Sequence, residues 1–384
     1  MNKILKFFVV FNFWILVIHP INALSNEKIK IGLLVPLSGE NKNLGEQIIR
    51  STKMALVDIN ANQIEIFPRD TGGDPTNTLK SAIELKNIGV KIIIGPVFFD
   101  NLNYLGDVQG VTFLSFTNKT IDLPNNVISS GINATSQLKT ITKFIESKNI
   151  KKTIFLTPKV DYENEIKKGI KLSKIKLLKH HIYDTEPTLL TSQIEKITNY
   201  KIRKQNLADE IRRVENSDLI DKEKQLEKLN KRYTIGNVNF DAVIISDFDE
   251  SLKSVITSLL YTDISPKKKF IITFNQWFDS SLLKEKTIQP IYYPSINKKN
   301  LDNFKNKFLK EFNENPNHIS LLSYDLVGLI YYLSLKDDLT NMNKLFKKKS
   351  LFKGKIGTFE IQNNEINHRL KLYQIKEGRI TEIF

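Results

Sequence analysis

The chain has no cysteine in 384 residues. That absence excludes disulfides, thiol nucleophiles and cysteine-ligated metals, and it leaves no cysteine to carry a lipid anchor. Arginine is scarce too, at eight of the 57 basic residues. Nucleic-acid surfaces favour Arg clustered with aromatics, whereas the lysines here are scattered. The formal charge of +15 therefore points to weak attraction toward an anionic cell-envelope surface, not to nucleic acid. Also missing are Gly-x-Ser-x-Gly, a Gly-Lys-Ser/Thr phosphate loop and His-Glu-x-x-His. The pair His180-His181 sits beside a predicted strand and is an ordinary edge or surface pair. Gly72-Gly73 opens no glycine-rich repeat and is a tight turn. We expect no enzymatic activity, no cofactor and no metal.

No apolar run is long enough to span a bilayer. The longest, Phe7 to Ile18, follows Lys3 and Lys6 and is broken by Pro20 before the small residue Ala23, which is the order of a secretory signal. Residues 1–23 are expected to be removed, leaving a periplasmic protein without a membrane anchor.

What is present is a repeated strand–helix pattern. Ile29 to Leu37 is a nearly continuous apolar run, as in a parallel strand covered on both faces. Pro36, Ser38 and Gly39 end it, and Leu44 to Ile59 returns apolar residues at helical spacing. A second strand to Pro68, the turn Asp70-Thr-Gly-Gly-Asp-Pro75 and the strands Ile92–Ile94, Thr112–Ser115 and Val127–Ser130 follow. A second series starts after Gly131 with strands near Thr153, Lys176–Tyr183, Phe240–Ser246 and Phe270–Thr273. Alternation of this kind predicts open parallel sheets with helices on both faces, whose ligands bind outside the carboxyl ends of the strands. Two such lobes meet in a cleft. Within the second series, Tyr200 to Arg232 is dense in charge and sparse in apolar residues. It predicts a helical hairpin that is either a solvated ornament or a docking arm.

The segments Gly32-Leu-Leu-Val-Pro-Leu-Ser-Gly39, Asp70–Pro75, Phe240-Asp-Ala-Val243, Ser323-Tyr-Asp325 and Gly354-Lys-Ile-Gly-Thr-Phe359 fall in an order that resembles the leucine/isoleucine/valine-binding branch of type I periplasmic binding proteins. The resemblance runs from about Ile29 to the C-terminus and is closest to the penicillin-binding protein activators. It implies an α/β, two-lobe fold with three chain crossovers, near Gly131–Ala134, Pro294–Asn297 and Ser350–Lys353. Lobe 1 would then comprise 29–133 plus 295–351, and lobe 2 would comprise 134–294 plus 352–384, with a helical insertion at 191–236. Phe352–Phe359 and Leu370–Ile375 would form a terminal strand pair.

By the same resemblance, the ligand cleft would draw on Ser38, on Pro96, Phe98 and Phe99, and on Ser115, Thr117 and Asn118. The far lobe would add Tyr162, an acid among Asp247, Asp249 and Glu250, and Trp277. Phe98 and Phe99 stand where hydroxyls would hold a ligand carboxylate, and a carboxylate buried against phenyl rings is costly. Two functions follow from the resemblance. One is a regulator of peptidoglycan synthesis that docks a cell-wall synthase. The other is a transport receptor that carries a small polar ligand, such as a branched-chain amino acid, to a membrane permease.

Overall fold

The computed structural model describes residues 28–335, 342–347, 349–355, 357–362 and 364–384; the expected leader at 1–23 lies outside the described residues. The apolar run that opens the sequence forms β1 (Ile29–Val35), buried along its last five residues. It is joined by β2 (Ile64–Asp70), β3 (Ile92–Ile94), β4 (Thr112–Ser115) and β5 (Val127–Ser129) in the order β2-β1-β3-β4-β5, all parallel. The second series repeats this order. In it, β6 (Thr153–Pro158), β7 (Lys179–Tyr183), β8 (Ala242–Ile245), β9 (Phe270–Thr273) and β10 (Ile291–Ser295) lie as β7-β6-β8-β9-β10. Each sheet thus reverses direction between its first and third strands. Ligand crevices of doubly wound sheets open at that switch point.

The chain passes from the first lobe to the second after β5, where Asn133 caps the helix Ala134–Ser147 by accepting the Ser136 N–H at 2.8 Å. It returns after β10, where Asn297 caps the helix Lys298–Phe312. The third crossover differs from the sequence expectation. β11 (Ser350–Lys353), β12 (Thr358–Gln362) and β13 (Glu365–Arg369) all belong to the first sheet, where β13 pairs with β5. Only β14 (Lys371–Lys376) and β15 (Arg379–Glu382) join the second. The crossing is therefore at Leu370, and Phe352–Phe359 does not pair with Leu370–Ile375. Burial explains the division: Phe359, Ile361 and Ile366 fill the first core, whereas Leu372, Tyr373 and Ile375 fill the cores of the second lobe.

The charged stretch forms the helices Tyr200–Glu215 and Lys222–Asn230, with a small core of their own around Leu207, Val214 and Leu229. The preceding helix Pro187–Ile197 packs Leu190 and Ile194 into the second lobe, so the peripheral part begins only after Asn199. One residue pins it. Arg203, 6% exposed, donates to the carbonyls of Thr262 at 2.9 Å and Gly236 at 3.2 Å and to Thr234 Oγ1 at 2.7 Å. A buried guanidinium is tolerated because those acceptors, with Asp263 at 3.7 Å, replace its water.

Candidate functional site

The carboxyl ends of the two sheets enclose a cavity of about 320 Å³ between the lobes, within the size range of small-molecule sites. From the first lobe it is walled by Phe98, Phe99 and Phe116, by Thr117, Asn118 and Lys119, and by His318 and Leu322. The second lobe contributes Gln137, Phe248, Asn275 and Trp277.

Phe98, Phe99, Thr117, Asn118 and Trp277 from the sequence reading thus come together. The others are placed differently. Ser115 is fully buried behind the wall, donating to the Pro96 carbonyl at 3.0 Å and accepting the Thr117 N–H at 3.2 Å, so both Ser115 and Pro96 shape the turn. Ser38 is exposed in a turn organised by Asp70, whose Oδ1 accepts the N–H of Leu37 and of Gly72, each at 2.7 Å. The Tyr162 hydroxyl donates to the Ser246 carbonyl at 2.7 Å; burial and the nearby Asp247 push its pKa up. Asp247 is 7% exposed and turned inward. It accepts from the Tyr183 hydroxyl at 2.5 Å, the Ser251 hydroxyl at 2.7 Å and the Phe248 N–H at 2.9 Å. Asp249 is exposed at the start of the helix Asp249–Tyr261, and Glu250 pairs with Lys253 at 2.7 Å.

Among the described residues, the cavity consequently holds no carboxylate. Its one charged side chain among the described residues is Lys119, whose ammonium lies 4.2 Å from the Phe99 ring centroid, a cation–π distance. It also offers one unsatisfied donor. Asn275 Oδ1 accepts from Ser295 at 2.7 Å and from the Trp277 N–H at 3.0 Å, while its Nδ2, also buried, has no partner.

Trp277 and Phe278 both have positive φ, +49° and +62°. For bulky residues this strain costs on the order of 1–3 kcal/mol each. It turns Trp277 out of the second lobe onto the core of the first, where its ring stacks on His318 with centroids 4.4 Å apart. His318 opens the helix His318–Ser334, which Asn317 caps. Burial, aided by the charge of Lys305, holds the imidazole near pKa 4, so it is neutral at pH 7.

A second interlobe contact borders the cavity. Both oxygens of Glu165, on the second-lobe helix Glu163–Ser173, reach the first-lobe loop after Lys119. They accept the N–H of Thr120 at 2.6 Å, that of Ile121 at 2.7 Å and the Thr120 hydroxyl at 2.8 Å. Lys168, one turn on, donates to the Thr120 carbonyl at 3.0 Å and to Glu365 of β13 at 2.5 Å. His318, Gln137, Asn275, Lys119 and Glu165 were not found from sequence. The signal for His318 was its place directly after a capping asparagine; the others carried none.

Stability should fall with acidification. His318 and His368 are both held near pKa 4 by burial, against 6.5 when free; His368 Nε2 donates to the Ser130 carbonyl at 2.8 Å. Between those values the unfolded chain binds more protons than the folded one. Unfolding free energy is therefore at its full value above about pH 6.5 and declines toward pH 4. Urea midpoints at about pH 7 and pH 5 check this, and His318→Phe should remove about half of the decline.

Comparison with known proteins agrees with this architecture. Residues 28–197 match the family described as periplasmic binding protein. No curated protein matches the chain. Among solved structures, the C-domain of LpoA from Haemophilus influenzae, a regulator of PBP1A, superposes with a TM-score of 0.63 at 16% identity, covering 92% of this chain and 100% of that one. The branched-chain amino acid substrate-binding protein LivJ from Streptococcus pneumoniae, in complex with isoleucine, gives 0.53 at 16% identity over 92% and 97%. An ABC transporter substrate-binding protein from Desulfitobacterium hafniense, in complex with leucine, gives 0.60 at 14% identity over 93% and 100%. At these identities the likeness is one of fold.

Proposed function

From a chain with the two-lobe fold of the type I periplasmic binding proteins, we propose a non-enzymatic periplasmic regulator of peptidoglycan synthesis that uses this fold to dock a cell-wall synthase. The observation that carries the reading is that no carboxylate lines the cavity among the described residues. A free amino acid brings an ammonium as well as a carboxylate, and burying an unpaired ammonium is costly. The acids that could have met it are turned inward or out to solvent. The similar regulator and the similar receptors share the fold, and fold alone does not choose between them; the chemistry of the cavity favours the regulator. A receptor reading draws on Asn275 Nδ2, a buried donor awaiting an acceptor.

Thermal scans test this directly. A ligand that binds only the folded state at 100 times its dissociation constant stabilises it by about 2.7 kcal/mol. Leucine, isoleucine and the other free amino acids at millimolar concentration should leave the melting temperature unmoved. A saturable upward shift with any of them, lost in Asn275→Ala, would favour the receptor.

A further inference from the structure

A second concavity, of about 510 Å³, lies at the base of the charged hairpin, away from the interlobe cavity. Arg203, Lys231, Arg232, Lys268 and Lys269 line it, and Asp263 is its one acid among the described residues. Three of the cations are already matched: Arg203 by Asp263 at 3.7 Å, Lys231 by Glu227 at 2.5 Å, and Lys269 by Asp241 at 3.9 Å. Arg232 and Lys268 have no carboxylate partner among the described residues. They come from different segments, one from the end of the hairpin and one from the turn before β9.

The loop from Thr234 to Val238 also lines the concavity. In the loop from Thr234 to Val238 the Ile235 N–H is donated to the Arg203 carbonyl, while those of Gly236, Asn237 and Val238 meet no backbone acceptor among the described residues. Gly236 takes φ +106°, a turn that side chains resist. Arg203 fixes this loop from below by donating to the Gly236 carbonyl. Two cations without a carboxylate partner and three N–H groups without a backbone acceptor line one concavity, a set suited to a tetrahedral oxyanion, which takes charge-assisted hydrogen bonds from several directions.

We infer that this concavity is a phosphate-group site, with Arg232 and Lys268 as its binding cations and the Gly236–Val238 backbone as its cradle. The phosphate can be free or can belong to a lipid headgroup, and two probes separate those sources. The full chain is titrated with inorganic phosphate against chloride at matched ionic strength. In parallel it is mixed with phosphatidylcholine vesicles with and without phosphatidylglycerol. Binding of phosphate alone assigns a soluble ligand, and binding of the phosphatidylglycerol vesicles assigns a headgroup. In either case Arg232→Gln/Lys268→Gln should weaken binding at least about tenfold. Both residues are exposed, so the fold is retained. The equally exposed pair Lys53→Gln/Lys80→Gln, on the first lobe, should bind as the unaltered chain does. Failure of both probes to bind, or an equal loss in the two double variants, overturns the inference.

Discussion

Replacing Glu165 by alanine should cost about 2–4 kcal/mol of stability and release the lobes from one another. Hydrogen bonds to a charged group contribute about 1.5–3 kcal/mol each. Glu165 is 9% exposed and accepts three, two of them from backbone N–H groups of the opposite lobe. The sum is discounted because water can reach the freed loop once the carboxylate is gone. Lys168→Ala should do far less: its pair with Glu365 is about a quarter exposed on each side, and such pairs contribute about 0–1 kcal/mol. Glu165→Gln should fall between, since one oxygen remains to accept. Urea unfolding reads the energy, and small-angle scattering reads the separation of the lobes. An unchanged midpoint and unchanged dimensions in Glu165→Ala would show that the carboxylate does not hold the lobes together.

That contact also bears on function. A transport receptor works by hinge closure around its ligand, and its lobes must part to admit it. Here Glu165 and Lys168 join the lobes beside the cavity, and the Trp277–His318 stack spans it. A surface that must present a fixed shape to another protein gains from such joins, because preorganisation lowers the cost of docking.

The strands were legible wherever local chemistry dominates. Ile31–Val35 and Ile92–Ile94 carry no polar side chain because they are covered on both faces. The turn at Asp70 to Pro75 announced itself by a capping aspartate and a proline at the first helical position. What failed depended on distance. Ser350 to Lys376 is a run of short strands with similar alternation, and nothing local marks Leu370 as the residue where the chain changes lobe. Asp247 looked available for a ligand because its partner, the Tyr183 hydroxyl, lies 64 residues earlier. The cavity needs Gln137, Asn275 and His318, which meet only after both lobes have folded and docked. Phe98 and Phe99, whose donor-free rings argued against a carboxylate site, line the cavity.

The second large effect tests the central claim: calorimetric titration of residues 24–384 with the periplasmic part of a PBP1A-type synthase from the same organism, with leucine titrated in parallel. Binding should be abolished or strongly weakened when the lobes are freed by Glu165→Ala, since docking draws on their fixed arrangement. The account predicts saturable heat with the synthase and none with leucine. Saturable leucine binding with no heat from the synthase would contradict it.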